Sequence, residues 1–257
     1  MSDVSRPDEL VAMIQGVERR TLEVVESGMM TPRMHRIRLR GSEFGSFDYR
    51  PGQDVMLWVP ADGERMLYRR YTIRHFDRET GSLDLDIFVH GKGGPGENWA
   101  KTVRPGDVVD VVGPRGKISL VAAPWHLFAG DETYIPATFA MLEALPAGTA
   151  AWAFLEVAGP EEEQPLVVNA DVRLTWIHRG DASPGDPASL VAAVESAELP
   201  TSAGHAYIGA ELQVARALRR ALEARDFDSN QISSKAYWGR GRANASIGEP
   251  KENEAGK

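Results

Sequence analysis

Arg69-Arg70-Tyr71-Thr72-Ile73-Arg74 is the stretch on which the reading of this chain turns. As an extended strand it sets Tyr71 and Ile73 on one side and Arg70, Thr72 and Arg74 on the other. An aromatic surface, a hydroxyl and several guanidinium groups therefore lie within six residues. A flavin needs these three things: a wall for its ring, a polar group near N5 and cations for its pyrophosphate. The same hexapeptide also suits an edge strand with a solvated basic face.

Outward from this strand, short alternating runs are broken by turn pairs. Met34–Arg40 places Ile37 and Leu39 on one face and Arg36, Arg38 and Arg40 on the other. Asp54–Val59, Leu83–His90 and Val108–Val112 read as further strands. Pro51-Gly52, Thr80-Gly81, Pro105-Gly106 and Gly113-Pro114 punctuate them. About six strands at this spacing predict a small antiparallel barrel over residues 16–122. One short helix is expected near Glu97–Val103.

After Pro124 the rhythm changes. His126–Ala129 is a short apolar run, and Ala150–Val157, Val172–His178, His205–Gly209 and Ile232–Trp238 read as strands. Between them, Ile135–Leu145, Leu190–Ala197 and Leu212–Ala224 have helical spacing. Strands alternating with helices predict a parallel α/β sheet of the nucleotide-binding type over residues 123–242. The fold class is thus two-domain, an antiparallel six-stranded β-barrel followed by a parallel-sheet α/β domain. Residues 1–15 are expected to be flexible, and the polar tail 243–257 disordered.

Two more patterns carry chemistry. His90-Gly91-Lys92-Gly93-Gly94-Pro95-Gly96-Glu97-Asn98-Trp99-Ala100 follows a strand directly. Its glycines let a phosphate approach the backbone, and the amides opening the next helix favour an anion. An ordinary capped helix start is the alternative, and His90 is equally suited to a structural role. Ala129-Gly130-Asp131-Glu132-Thr133-Tyr134 ends the first strand of the α/β half, where ligands bind in open parallel sheets. Asp131 or Thr133 could instead serve as a helix N-cap. The dinucleotide fingerprint G-x-G-x-x-G is absent.

Composition narrows the classes. The 257 residues carry a net charge of −8 and contain no cysteine. That argues against nucleic acid as the main partner and removes disulfides, thiolate chemistry and Cys-ligated iron–sulfur clusters. The six histidines show no paired metal-ligand spacing, so no metal site is expected. Any redox chemistry must rest on an organic cofactor. The beginning of the chain lacks the apolar core of a signal peptide, so a cytoplasmic location is expected, without membrane insertion.

Taken in order, these segments resemble the siderophore-interacting protein family of the ferredoxin-reductase superfamily, the ferric-siderophore reductases of the vibriobactin-utilisation type. The resemblance runs from about Gly16 to Asn244. It is carried by Arg69–Arg74, Asp86–Ala100, Pro105–Gly116, Gly130–Thr133, Phe154–Leu166, Trp176–Gly180, Ile208–Leu222 and Ala236–Asn244. It implies FAD as cofactor and NADH or NADPH as electron donor. Arg69, Arg70, Tyr71, Thr72, Ile73 and Arg74 match the flavin-binding strand, with Arg69 toward the pyrophosphate and Thr72 near the ring. Asp86, Phe88, Val89, His90 and the turn Gly94, Pro95, Gly96, Glu97, Asn98 and Trp99 match the segment that holds the rest of FAD. Asp131, Glu132 and Thr133 resemble the nicotinamide-side loop, and Glu211 and Trp238 fall in the family's later flavin-facing segments.

Three positions depart from the family's pattern. Glu97 stands where a small hydroxyl residue is common, so its side chain is not expected to bond a flavin phosphate. Tyr134 stands where a small residue is usual and would narrow the nicotinamide approach. Gly239 replaces a common basic residue.

The implied activity is an NAD(P)H-dependent reduction of ferric siderophores that releases iron as Fe(II), with hydride and one-electron transfer carried by the cofactors. Lys92, Lys117, Lys235 and Arg240 are the candidates for a basic rim toward an anionic iron chelate, each also suited to an ordinary solvated surface. Glu156 could bond a ribose 2′-hydroxyl and favour NADH, whereas Arg173, Arg179 or Arg216 could reverse that preference. Two other readings remain open: a cofactor-free siderophore-binding or iron-chaperone protein, and a flavin diaphorase with another acceptor. A monomer is expected.

Overall fold

The alternation along Met34–Arg40 resolves, in a computed structural model, into one wall of a closed barrel. The structure describes residues 17–42, 44, 47–61 and 66–241. The expected flexible start, 1–15, and disordered tail, 243–257, lie outside them. The described chain divides into two compact units after Gly116.

The first unit contains β1 (Glu18–Thr31), β2 (Met34–Arg40), β3 (Asp54–Pro60), β4 (Met66–Asp77), β5 (Ser82–Phe88) and β6 (Val108–Arg115). They close in the order β1-β2-β5-β4-β3-β6, every pairing antiparallel. Ile37, Leu39, Val55, Leu57, Ile73 and Leu85 point into the interior and are buried. Their apolar period of two is what the closed sheet requires. On the outer face the alternating charges meet across strands. Arg36 and Arg38 stand opposite Asp86 and Asp84 and grip them with paired bonds of 2.7–2.9 Å.

The strand containing Arg69–Arg74 is not an edge. β4 is flanked by β3, with Val55 opposite Tyr71 and Leu57 opposite Arg69, and by β5, with Ile73 opposite Leu85. The register slips by one residue between Ile73 and His75, a bulge at Arg74 that locally bends the strand. The short helix α1 (Pro95–Thr102) begins two residues before its expected start. Proline is favoured at the first helical position because the amide it lacks would have no partner there.

The second unit holds β7 (Trp125–Gly130), β8 (Ala150–Val157), β9 (Asp171–His178), β10 (His205–Glu211) and β11 (Ile232–Trp238). These form one parallel sheet in the order β11-β10-β7-β8-β9. Helix α2 (Ile135–Glu143) covers one face through Met141 and Leu142. Helices α3 (Ala188–Ser196) and α4 (Leu212–Glu223) cover the other through Leu190, Val194, Leu218 and Leu222. The central strands are buried almost end to end, as a sheet covered on both faces demands. No described helix is long and apolar enough to cross a membrane.

Candidate functional site

In the barrel, three arginines of β4 meet different fates. Arg70 is bound by Asp54 at 2.5 and 3.1 Å, and Arg74 lies 3.9 Å from Asp86. Arg69 has no carboxylate partner among the described residues; its Nη1 donates to the carbonyl of its neighbour Tyr68 at 2.9 Å. It is half-buried, and burial lowers the affinity of its guanidinium for the proton. A half-buried cation without a counter-charge is electrostatically incomplete, and an anionic ligand group would complete it.

Arg69 lies beside the glycine turn. A Cβ on Gly96 would come 3.3 Å from Arg69 Cγ and would collide with the Tyr71 hydroxyl, so only glycine fits there. Burial pushes that phenol well above its ordinary pKa, and Tyr71 packs against the barrel core. Gly93 and Gly94 have φ of 72° and 147°, backbone that glycine reaches without a steric cost. They lead into α1, whose first-turn amides have no intrahelical acceptor. Guanidinium, open glycine backbone and helix N-terminus together are a donor set for a phosphate ester, so these residues fit a dinucleotide flavin.

Several other residues expected at the cofactor have partners or packing within the fold. Both oxygens of Asp86 are held by Arg36, so its carboxylate is already satisfied on the barrel's outer face. Trp99 and Ile73 belong to the barrel core, Val89 is buried with its amide bonded to Arg33 O, and Thr72 is buried. Phe88 is half-buried opposite Met34. Asn98, His90 and Lys92 are exposed along the turn. Glu97 faces away from solvent, accepting from Gly91 N at 3.1 Å and from Lys101, with His90 Nδ1 at 3.0 Å. Burial alone raises its pKa, but Lys101, His90 and the Gly91 amide outweigh it and hold the carboxyl below its ordinary value.

In the second unit, Asp131 is the hub at the carboxyl ends of the strands. Its Oδ1 accepts from Thr133 N at 3.0 Å and Thr133 Oγ1 at 2.5 Å. Its Oδ2 accepts from Glu211 N at 2.9 Å and the Trp238 indole at 2.8 Å. The N-cap alternative is therefore correct for Asp131 toward the turn Glu132–Tyr134, and the same side chain ties β7 to β10 and β11. Burial raises its pKa, opposed by these hydrogen bonds. Glu211 caps α4 through Gln213 N and Val214 N and accepts Arg240 N at 3.2 Å.

Arg179 is buried between two carboxylates, with Glu132 at 2.5 Å and Glu156 at 3.7 Å. Burial pushes Glu156 up to about 7, Arg179 opposing and Glu132 and Asp131 adding to the rise. Burial likewise raises Glu132, against its Arg179 bond. Glu156 and Arg179, the residues expected to bear on a ribose or its 2′-phosphate, thus lie in one buried charge cluster with Glu132.

Two further expectations need correction. Tyr134 does not stand in a ligand approach; it is 1% exposed, packed on the backbone of Gly130 and Gly209 within the sheet's core. The two glycines make room for that ring. Lys235 is buried rather than lying on an open rim, with its ammonium 5.3 Å from the Tyr237 ring centre. Lys117 is exposed, and Arg240 is exposed with its guanidinium bonded to Pro184 O at 2.7 Å. Missed altogether was Lys101, four residues after Glu97, a spacing that on a helix signals an ion pair.

A closed antiparallel barrel with a phosphate-type turn, followed by a parallel α/β sheet, is the ferredoxin-reductase-like class of fold. A ferredoxin NADP+ reductase from Neisseria gonorrhoeae with bound FAD and NADP superposes with a TM-score of 0.64 at 13% identity, covering 86% of this chain and 99% of that one. The chain belongs to the siderophore-interacting protein family: residues 123–241 match the family model "Siderophore-interacting protein" and residues 51–118 match "Siderophore-interacting FAD-binding domain". A siderophore utilization protein from T. fusca is 33% identical, with a TM-score of 0.79 over 90% of this chain and 96% of that one. An uncharacterised protein of Mycobacterium tuberculosis is 34% identical over 86% of this chain and 90% of the relative. The ferric vibriobactin reductase ViuB of Vibrio cholerae is 27% identical over 89% and 92%.

Proposed function

We propose that this protein is a flavin-dependent reductase of ferric siderophores that draws its electrons from NADH or NADPH. The observation that carries the reading is Arg69, a half-buried cation without a carboxylate partner among the described residues, beside the glycine turn of a barrel matched by an FAD-binding domain model. The likeness to ViuB supplies the substrate class. Bound FAD would accept a hydride from the nicotinamide and release electrons singly, which suits reduction of Fe(III) to Fe(II).

The chain's own residues bind and orient rather than transfer protons. Arg69 would face the pyrophosphate, the amides of Gly96 and Glu97 would meet a phosphate oxygen, and Tyr71 would supply aromatic surface to the cofactor. In the second unit Asp131 would hold the loop of Glu132 and Thr133 in one shape for the nicotinamide nucleotide. Arg179 is engaged by Glu132 and Glu156, whereas Arg173 and Arg216 are exposed, so the choice between NADH and NADPH falls to the comparison of the two donors. Lys92 and Lys117 are exposed and would face an anionic chelate.

The test is anaerobic reduction of the FAD-loaded protein by NADH and by NADPH, followed by mixing with ferric chelates and an Fe(II) trap. Flavin bleaching by the nucleotide, then trapped Fe(II) with return of the oxidised spectrum, is expected. Bleaching that only artificial acceptors reverse would assign a general diaphorase instead.

A further inference from the structure

Glu97 occupies the third residue of α1, where a carboxylate and a ligand phosphate compete for the same positive end of the helix. An acid placed there would oppose a diphosphate unless its charge were cancelled. The structure shows how that is done. The side chain is 1% exposed and folds under the turn to accept the Gly91 amide. One helical turn on, Lys101 reaches back and pairs with it. His90 Nδ1 stands 3.0 Å from Oε2 and also 3.2 Å from Lys92 N, so one ring nitrogen serves either carboxylate or amide.

We propose that Glu97 and Lys101 form a charge-balanced latch beneath the glycine turn, setting how tightly that turn retains the diphosphate of FAD. Glu97 shapes the turn through Gly91, and Lys101 removes the repulsion that Glu97 would otherwise exert. Both are positioning residues, and the inference rests on the barrel being the FAD-binding unit.

The experiment is titration of flavin-free protein with FAD, followed by quenching of flavin fluorescence, for wild type, Lys101→Met, Lys101→Arg, Glu97→Gln and the Lys101→Met/Glu97→Gln double variant. Leaving Glu97 unmatched should weaken FAD about tenfold, the equivalent of one lost ion pair's screening of charge. That deficit should shrink in high salt, as a charge effect does. Lys101→Arg keeps the cation and should bind like wild type. Glu97→Gln keeps an acceptor for Gly91 and should tighten FAD roughly threefold. The double variant should return to within about threefold of wild type. Equal affinities across the set, or a double variant as weak as Lys101→Met, would overturn the latch. A wild-type protein that takes up no FAD would instead overturn the assignment of the barrel.

Discussion

Arg69 and Arg179 carry the same guanidinium in opposite circumstances. Arg179 is buried between Glu132 and Glu156, its charge answered within the second unit. Arg69 is half-buried in the first unit with a backbone carbonyl as its partner. Burying a cation is costly unless it is paired, so the two residues do different work. The paired one holds a fold together. Arg69, without a carboxylate partner among the described residues, is the one that our proposal assigns to a ligand phosphate. Counting arginines in a motif cannot make this distinction, whereas asking which carboxylate answers each one can.

The comparison breaks if removing these side chains has similar consequences. Arg179→Ala leaves two buried carboxylates facing one another, and breaking such a pair costs about 3–5 kcal/mol. A clear fall in Tm of the flavin-free protein is expected; an unchanged melt would mean that water reaches the pair. Asp131→Ala deprives Glu211 N, Thr133 and the Trp238 indole of their acceptor. About 2–3 kcal/mol of stability should be lost in denaturant unfolding, with a shift in tryptophan emission.

Arg69→Ala should do the reverse. The melt of the flavin-free protein should stay within about 1 °C of wild type, while FAD affinity falls roughly 30-fold, the worth of a charge-assisted bond of ~2 kcal/mol. Loss of stability without loss of affinity would make Arg69 a structural residue like Arg179.

Glu156 sharpens the contrast by pH. Its carboxyl is pushed from the ordinary 4.5 up to about 7. With the folded pKa above the unfolded one, its contribution to stability is complete below about pH 4.5 and is lost as pH rises through 7. Glu156→Gln lacks that titration, so its Tm relative to wild type should climb between pH 5 and pH 8. A constant difference would place Glu156 in water.

Much of the fold was legible in the chain. Met34–Arg40, Ala150–Val157 and Ile232–Trp238 appear as strands with the bounds that alternation or continuous apolarity suggested. β1 was not singled out, because Glu18–Thr31 is rich in charged and small residues and places only Leu22 and Val24 in the barrel core. The motifs pointed to both candidate clusters, since glycine turns and strand ends are local features. The roles within them were less legible. Asp86, Trp99, Tyr134 and Lys235 sit in motif-rich segments, yet their partners, Arg36, the barrel core, Gly209 and Tyr237, include contacts that only tertiary packing creates.

Titration of the flavin-free protein with FAD and with riboflavin, side by side, tests the central claim most directly. A turn and arginine built for a diphosphate should bind FAD at least tenfold more tightly than riboflavin, and that margin should narrow as salt is raised. Equal affinity for the two, or no uptake of either, would contradict the account.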